Sequence, residues 1–307
     1  MPVVKLYRHG ITMGVAPMIN NHPRAKRDVV VGWSAGAARR NLQFLYSIDE
    51  RDLFGEGFAI TMTVRDCPSS PDEWHYAIKQ FFMYLRRLFG EVGYTLLRYH
   101  YVIEWQRRGV PHLHGVIYFP EGVGRRVDVR SFVVGCWQAY FSAWGVSERA
   151  QHVKPITGAV GWFQYLSKHA ARGIRHYQRS AANIPHGWRT GTGRMWVRGG
   201  DWPIKEPQRV EMPNRPFHIL RRWGRGWRLA DARQELRAAL GDSRMDRASV
   251  KRKVALARIV SARGCLRCPD RSLSRVRGNS EWMPDRISRP MIERLARDGY
   301  RIEQGEC

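Results

Sequence analysis

Long apolar runs are missing from this chain. No stretch of about 18 apolar residues occurs, so no segment can form a transmembrane helix. The first thirty residues include Lys5, Arg8, His9, Arg24, Lys26 and Arg27, and they lack the unbroken apolar stretch of a signal peptide. Cysteine is scarce. Cys67, Cys136, Cys265, Cys268 and Cys307 are odd in number and irregular in spacing, which excludes a disulfide framework and suits a reducing cytoplasm. Cys265 and Cys268 form a lone CxxC with no second pair to complete a zinc site. No GxxxxGK[ST] phosphate loop and no internal repeat are found. Acidic residues are outnumbered, 27 against 52 Lys and Arg, and the net charge of +25 sets up a field that draws polyanions, nucleic acid first among them. Hydrophobic residues are plentiful, at 43%, so a sizeable core can be buried, and 307 residues suffice for one large domain or two ordinary ones.

Residues 1–30 carry Pro2, Pro17 and Pro23 without a clear period and stay unassigned. Ser34 is placed to cap a helix running to about Ser47. Residues 58–64 alternate, with Ile60, Met62 and Val64 on one side and Ala59, Thr61 and Thr63 on the other. A helix over 72–89 opens at Pro71 and Asp72 and lines up Trp74, Ile78, Phe81, Phe82, Leu85 and Phe89. Residues 98–105 and 112–119 alternate again. Tyr101, Ile103, Trp105, Leu113, Ile117 and Phe119 fall on apolar faces; His100, Val102, Glu104, His112, His114 and Val116 fall on the opposite ones. Helices follow over 128–144 and 157–172, then a Gly- and Trp-rich stretch with a short strand near 194–198. This pattern predicts an α+β fold, a central antiparallel sheet with helices packed on one face.

The character changes near 206. Pro207, Pro213 and Pro216 read as a linker, and residues 221–280 hold 17 Lys and Arg against 5 Asp and Glu, an excess of 12. Amphipathic helices are expected near 229–240, 247–260 and 286–297. The organisation expected is an unassigned segment at 1–30, one α+β domain at 31–205, and a basic, mainly helical region at 206–307 whose charge suits accessory DNA binding.

His112 and His114 stand two apart on a strand, so both imidazoles share a face, a good geometry for chelating a divalent ion. Histidines on a half-exposed strand are also commonly idle. Glu104, on the neighbouring strand's non-apolar face, joins them if a hairpin turns at Gly109; otherwise it is a surface carboxylate paired with Arg107 or Arg108. Two imidazoles and one carboxylate leave coordination positions open, as a catalytic ion needs. His100, on the same strand face as Glu104, is the next candidate ligand. On the helix over 157–172, Tyr165 and Lys168 are three apart and share a face. A nearby lysine or metal favours the phenolate; the alternative is a Tyr–Lys pair on a solvated helix face.

The segment Glu104-Trp105-Gln106-Arg107-Arg108-Gly109-Val110-Pro111-His112-Leu113-His114 resembles the metal-binding motif of HUH endonucleases. The likeness is closest to replication initiators of filamentous phages and related rolling-circle elements. Tyr165-Leu166-Ser167-Lys168-His169 resembles their nucleophile motif, Tyr-x-x-Lys, and Thr61 and Thr63 sit where the family has its first strand motif. Coverage runs from about 30 to 200. The resemblance implies the HUH fold, with Glu104, His112 and His114 holding Mg²⁺ or Mn²⁺. It implies that Tyr165 attacks a phosphodiester of single-stranded DNA within an origin hairpin, leaving a 5′-phosphotyrosine and a free 3′-hydroxyl, with Lys168 stabilising charge. A host helicase and polymerase would be partners in the bacterial cytoplasm, with no membrane involved. His169 stands where many relatives have a second tyrosine, and Tyr177 lies beyond the expected helix end, so a single-tyrosine enzyme is expected. Competing readings are a single-tyrosine HUH transposase or relaxase, a metal hydrolase in which Tyr165 is incidental, and a nucleic-acid-binding protein without catalysis.

Overall fold

Three segments with period-two alternation become the centre of a five-stranded antiparallel sheet. The computed structural model describes residues 1–15, 29–163, 166, 178–241, 251–253, 255, 256, 259, 260 and 279–305. The fold is α+β, with two antiparallel sheets, one in each of two units: Pro23–Ile204, and Met1–His22 together with Lys205–Cys307. Among the described residues no helix is long and apolar enough to cross a membrane.

In the unit Pro23–Ile204 the strands are β3 (Glu56–Thr63), β4 (Arg98–Trp105), β5 (Pro111–Phe119), β6 (His152–Pro155) and β7 (Trp196–Gly200). Their order across the sheet is β6-β3-β5-β4-β7. Two helices, α2 (Pro71–Glu91) and α4 (Val129–Phe141), the latter separated from β5 by the short α3 (Val123–Arg126), cover one face. Ser70 caps α2, its hydroxyl accepting from the Glu73 amide, and Pro71 costs nothing in a first turn whose N–H groups lack helical acceptors. Ile60, Met62, Tyr101, Ile103, Leu113 and Ile117 of the sheet pack with Trp74, Phe81, Leu85 and Phe89 of α2 and Val133, Trp137 and Phe141 of α4. Trp137 stacks on Phe141 at 3.6 Å between ring centres and meets Phe81 edge-on at 5.4 Å. Each such aromatic contributes roughly 1.5–3 kcal/mol by burial alone, so this face anchors the sheet.

The opposite face carries the polar residues. The one-face expectation describes α2 and α4; α1 (Ala35–Ser47) touches the other face near β7. Ser34 caps α1, accepting from the Ala37 amide at 3.1 Å. There Nε2–H of His100 donates to Asn41 Oδ1 at 2.7 Å, and Phe44 packs on His100 and Trp196. Burial, with help from the charge of Arg198, pushes the His100 imidazole down to about 3, so His100 is a neutral structural bridge.

The second sheet, in the order β10-β8-β1-β2-β9, is built from β1 (Pro2–Leu6), β2 (Ile11–Val15), β8 (Gln208–Glu211), β9 (Asn279–Glu281) and β10 (Glu303–Gly305). The N-terminal segment that showed no period therefore pairs with the C-terminal region. β1 is buried at four of its five positions, which erases the alternation that sequence reading relies on. Two helices, α5 (Asn214–Leu240) and α6 (Asp285–Arg297), pack here; Val4, Leu6, Ile11 and Met13 meet Phe217, Leu220 and Leu295. Pro213 and Pro216, read from sequence as linker, stand at the N-cap and first turn of α5. Cys265, Cys268 and Cys307 lie outside the described residues.

One glycine sets how closely the central strands approach. A Cβ at Gly115 of β5 would sit 2.6 Å from the His100 carbonyl oxygen and 2.9 Å from Tyr101 Cβ. Gly115→Ala is expected to cost about 1–3 kcal/mol of stability by forcing β4 from β5, read by chemical denaturation; wild-type stability would contradict this packing.

Candidate metal centre

The hairpin between β4 and β5 builds the site. Residues 106–110 close it: the Gln106 amide donates to Val110 O, the Gly109 amide donates to Gln106 O, and Gly109 takes a φ of +75°, a left-handed conformation that glycine adopts without strain. The turn is further tied down by Gln106 Nε2, which donates to Thr63 Oγ1 at 2.6 Å, and by Arg108, which donates to the carbonyls of Val64 and Arg65.

This register sets Glu104 directly opposite His112, and Val102 opposite His114. On the other side of β5, Thr63 pairs with His112 and Thr61 with His114. Paired residues of antiparallel strands point to the same face, so two rows form: Thr63–His112–Glu104 and Thr61–His114–Val102. One ligand atom from each of Glu104, His112 and His114 lies within 4.8 Å of the others. The two Nε2 atoms face each other at 2.7 Å, and Glu104 Oε2 is 4.0 Å from His114 Nε2. Glu104 and His112 are buried, and His114 is only partly exposed.

Neighbouring groups orient these donors. Thr61 Oγ1 lies 2.9 Å from His114 Nδ1; when Nδ1–H donates there, the Nε2 lone pair is turned to the cluster. Arg179, which sequence reasoning missed, donates from Nε to Glu104 Oε1 at 2.9 Å, and its Nη2 forms an ion pair with the same oxygen at 2.9 Å. Its guanidinium lies 4.1 Å from the Trp33 ring, and Trp33 Nε1 donates to Ile103 O. The backbone holds Arg179 in place as well, for the Trp105 amide donates to Gln178 O at 2.7 Å. No spacing rule links Arg179 to Glu104, 75 positions away; the one available signal is that a carboxylate buried on a strand needs a cation.

The donor set fits a divalent ion: two imidazole nitrogens and a carboxylate oxygen converge from adjacent strands and leave other coordination positions to solvent or substrate. His100 is not among them; it is buried against α1, four residues along β4 from Glu104. Tyr165, Lys168, His169 and Tyr177 lie outside the described residues. Their described neighbours Phe163 and Leu166 are buried, and Phe163 meets Trp202 at 6.2 Å.

Comparison with known proteins extends the reading to the whole chain. The family model described as replication-associated protein ORF2/G2P matches residues 57–170, from β3 through the hairpin and across the positions of Tyr165 and Lys168. The replication-associated protein G2P of Pseudomonas phage Pf3 is 43% identical over 303 residues, 98% of this chain and 99% of the relative. A putative replication protein of Xylella fastidiosa strain 9a5c is 43% identical over 308 residues, with the same coverage. Another from Xylella fastidiosa strain Temecula1 is 44% identical over 288 residues, 92% of this chain and 99% of the relative. No solved structure matches. With its hairpin cluster inside the matched stretch and near-complete coverage by these relatives, the chain belongs to the replication-associated protein ORF2/G2P family.

Proposed function

We propose that this protein initiates replication by nicking single-stranded DNA at an origin and later rejoining the displaced strand. The observation that carries the reading is the convergence of Glu104, His112 and His114 on one hairpin. The match to a replication family and the net charge of +25 support it.

In this reading Glu104, His112 and His114 hold Mg²⁺ or Mn²⁺, which when bound polarises a phosphodiester and draws charge off its oxygens. Thr61 fixes the His114 tautomer. Arg179 holds one oxygen of Glu104 and leaves Oε2 toward the histidines. Counting formal charges, Glu104 and Arg179 cancel, so a divalent ion makes the cluster positive, as a phosphodiester requires. Tyr165 acts as nucleophile: its phenolic oxygen bonds to phosphorus, the P–O3′ bond breaks, and the phenolic proton passes to solvent or a base while the freed 3′-oxygen is protonated. A 5′-phosphotyrosine and a 3′-hydroxyl result, the latter a primer for a host polymerase acting with a host helicase. Lys168 stabilises the phenolate or the phosphate. Attack by the 3′-hydroxyl of the displaced strand on the phosphotyrosine reverses the step and closes that strand.

The same chemistry serves a transposase or relaxase, but the curated relatives are replication proteins over their full length, which favours initiation.

A role in gripping flanking duplex is proposed for the unit containing α5. Arg215, Arg222, Arg233 and Arg237 are exposed, and their spacings of 7, 11 and 4 set them along one side of a 27-residue helix. Because β1 and β2 pair within this unit, substitution rather than truncation tests it.

Three outcomes are expected. Tyr165→Phe should bind origin DNA but form no covalent band in denaturing gels with Mn²⁺; normal cleavage by this variant would remove the tyrosine mechanism. His112→Ala and His114→Ala should lose Mn²⁺ binding in calorimetric titration, and Arg179→Met should weaken it about 10- to 100-fold by releasing the carboxylate; an unchanged affinity in folded Arg179→Met would contradict its positioning role. Replacing the four α5 arginines by glutamine should lower the log K against log salt slope for duplex by about 0.9 for each phosphate left unneutralised; an unchanged slope would remove this region from duplex binding.

A further inference from the structure

A second feature of the sheet's polar face has no part in the chemistry above. Beside the edge strand β7 lies a cavity of about 780 Å³ lined by Val30, Ala37, Arg40, Arg194, Trp196 and Arg198, among others. The three arginines are exposed and the indole of Trp196 is half-buried. No carboxylate is among the described lining residues, and none of the three guanidinium groups has an ion-pair partner among the described residues. Arg198 lies over the Phe44 ring at 4.6 Å, and Trp196 stacks on the same ring at 6.1 Å, so an aromatic floor is fixed between α1 and β7.

The register ties this cavity to the metal cluster. Val102 pairs with His114 on one side and with Trp196 on the other. Thr61, His114, Val102 and Trp196 therefore form a single row across four strands on one face. Trp196 stands two strand spacings from His114, about 10 Å, which is roughly three stacked nucleotides at about 3.4 Å each. Uncompensated guanidinium groups attract phosphates, and an indole offers a surface to any base.

We infer that this cavity is a nucleotide subsite for the same single strand whose phosphate lies at the metal cluster, with Arg40, Arg194 and Arg198 on the backbone and Trp196 against a base. The inference rests on the single-stranded DNA reading above. It gives the protein a way to hold the strand a fixed distance from the scissile bond, apart from the ligands and nucleophile.

Fluorescence anisotropy with a labelled single-stranded oligonucleotide and the full chain tests it, repeated over a range of salt. The triple variant Arg40→Ala, Arg194→Ala, Arg198→Ala should bind more weakly, with a salt slope shallower by about 2, at ~0.7 for each single-strand phosphate neutralised. A matched variant on the opposite face, Lys79→Ala, Arg86→Ala, Arg87→Ala, removes the same charge and should keep a slope near wild type. Trp196→Leu should weaken binding about 5- to 100-fold, while Trp196→Phe, which keeps a ring against Phe44, should recover most of it. Equal effects in the two triple variants would mean that net charge alone acts, and the subsite would be wrong. Wild-type affinity in the first triple variant would also overturn it. If wild-type protein does not bind single strands at all, the functional reading fails, and this inference with it. A wild type that binds, beside a subsite variant that binds equally, fails the inference alone.

Discussion

The register of one hairpin governs the site. In an antiparallel sheet the side-chain period is two, so a slip of a single residue between β4 and β5 would put Glu104 on the opposite face from His112 and His114. Two features prevent it. Gly109 closes a turn that glycine adopts without strain, and Gly115 allows a backbone approach that a side chain would block. The apolar partners enforce the same register from below, because Ile103, Leu113 and Ile117 meet the aromatic cluster around Trp74, Phe81 and Trp137. Packing on one face thus specifies chemistry on the other.

The buried carboxylate poses the second constraint. Removing Glu104 from water costs several kcal/mol without a partner, and Arg179 supplies one at 2.9 Å. That pair in turn needs the Trp33 ring and the backbone bond from Trp105 to Gln178. Segments distant in sequence are recruited to position one oxygen atom. In the proposed reading, metal affinity would depend on residues well outside the ligand motif, and a survey of ligands alone would miss them.

Much of the central unit could be read from sequence. β4 was expected over 98–105 and is found there; α1, α2 and α4 begin at residues with evident caps or at an opening proline. These elements have strong periods and sharp ends. The pairing of Glu104 with His112 was legible because a tight turn leaves adjacent strands little freedom. β6 carries no strand signal, since its four residues are mostly exposed, and β1 carries none because it is nearly all buried; neither alternates. The pairing of the N-terminal strands with β8 and β9 spans about 200 residues or more, and no local signal encodes such a contact. Arg179 escaped for the same reason. The prolines at 213 and 216 misled because proline is as much at home in a helix's first turn as in a linker.

The central claim is that the hairpin's two histidines and Glu104 hold one divalent ion. Pulsed electron paramagnetic resonance of Mn²⁺ added to protein labelled with nitrogen-15 at histidine tests it most directly. Coupling to two imidazole nitrogens, falling to one in His114→Gln, is the predicted result. Mn²⁺ bound with no histidine coupling, or with coupling unchanged by that substitution, would contradict it.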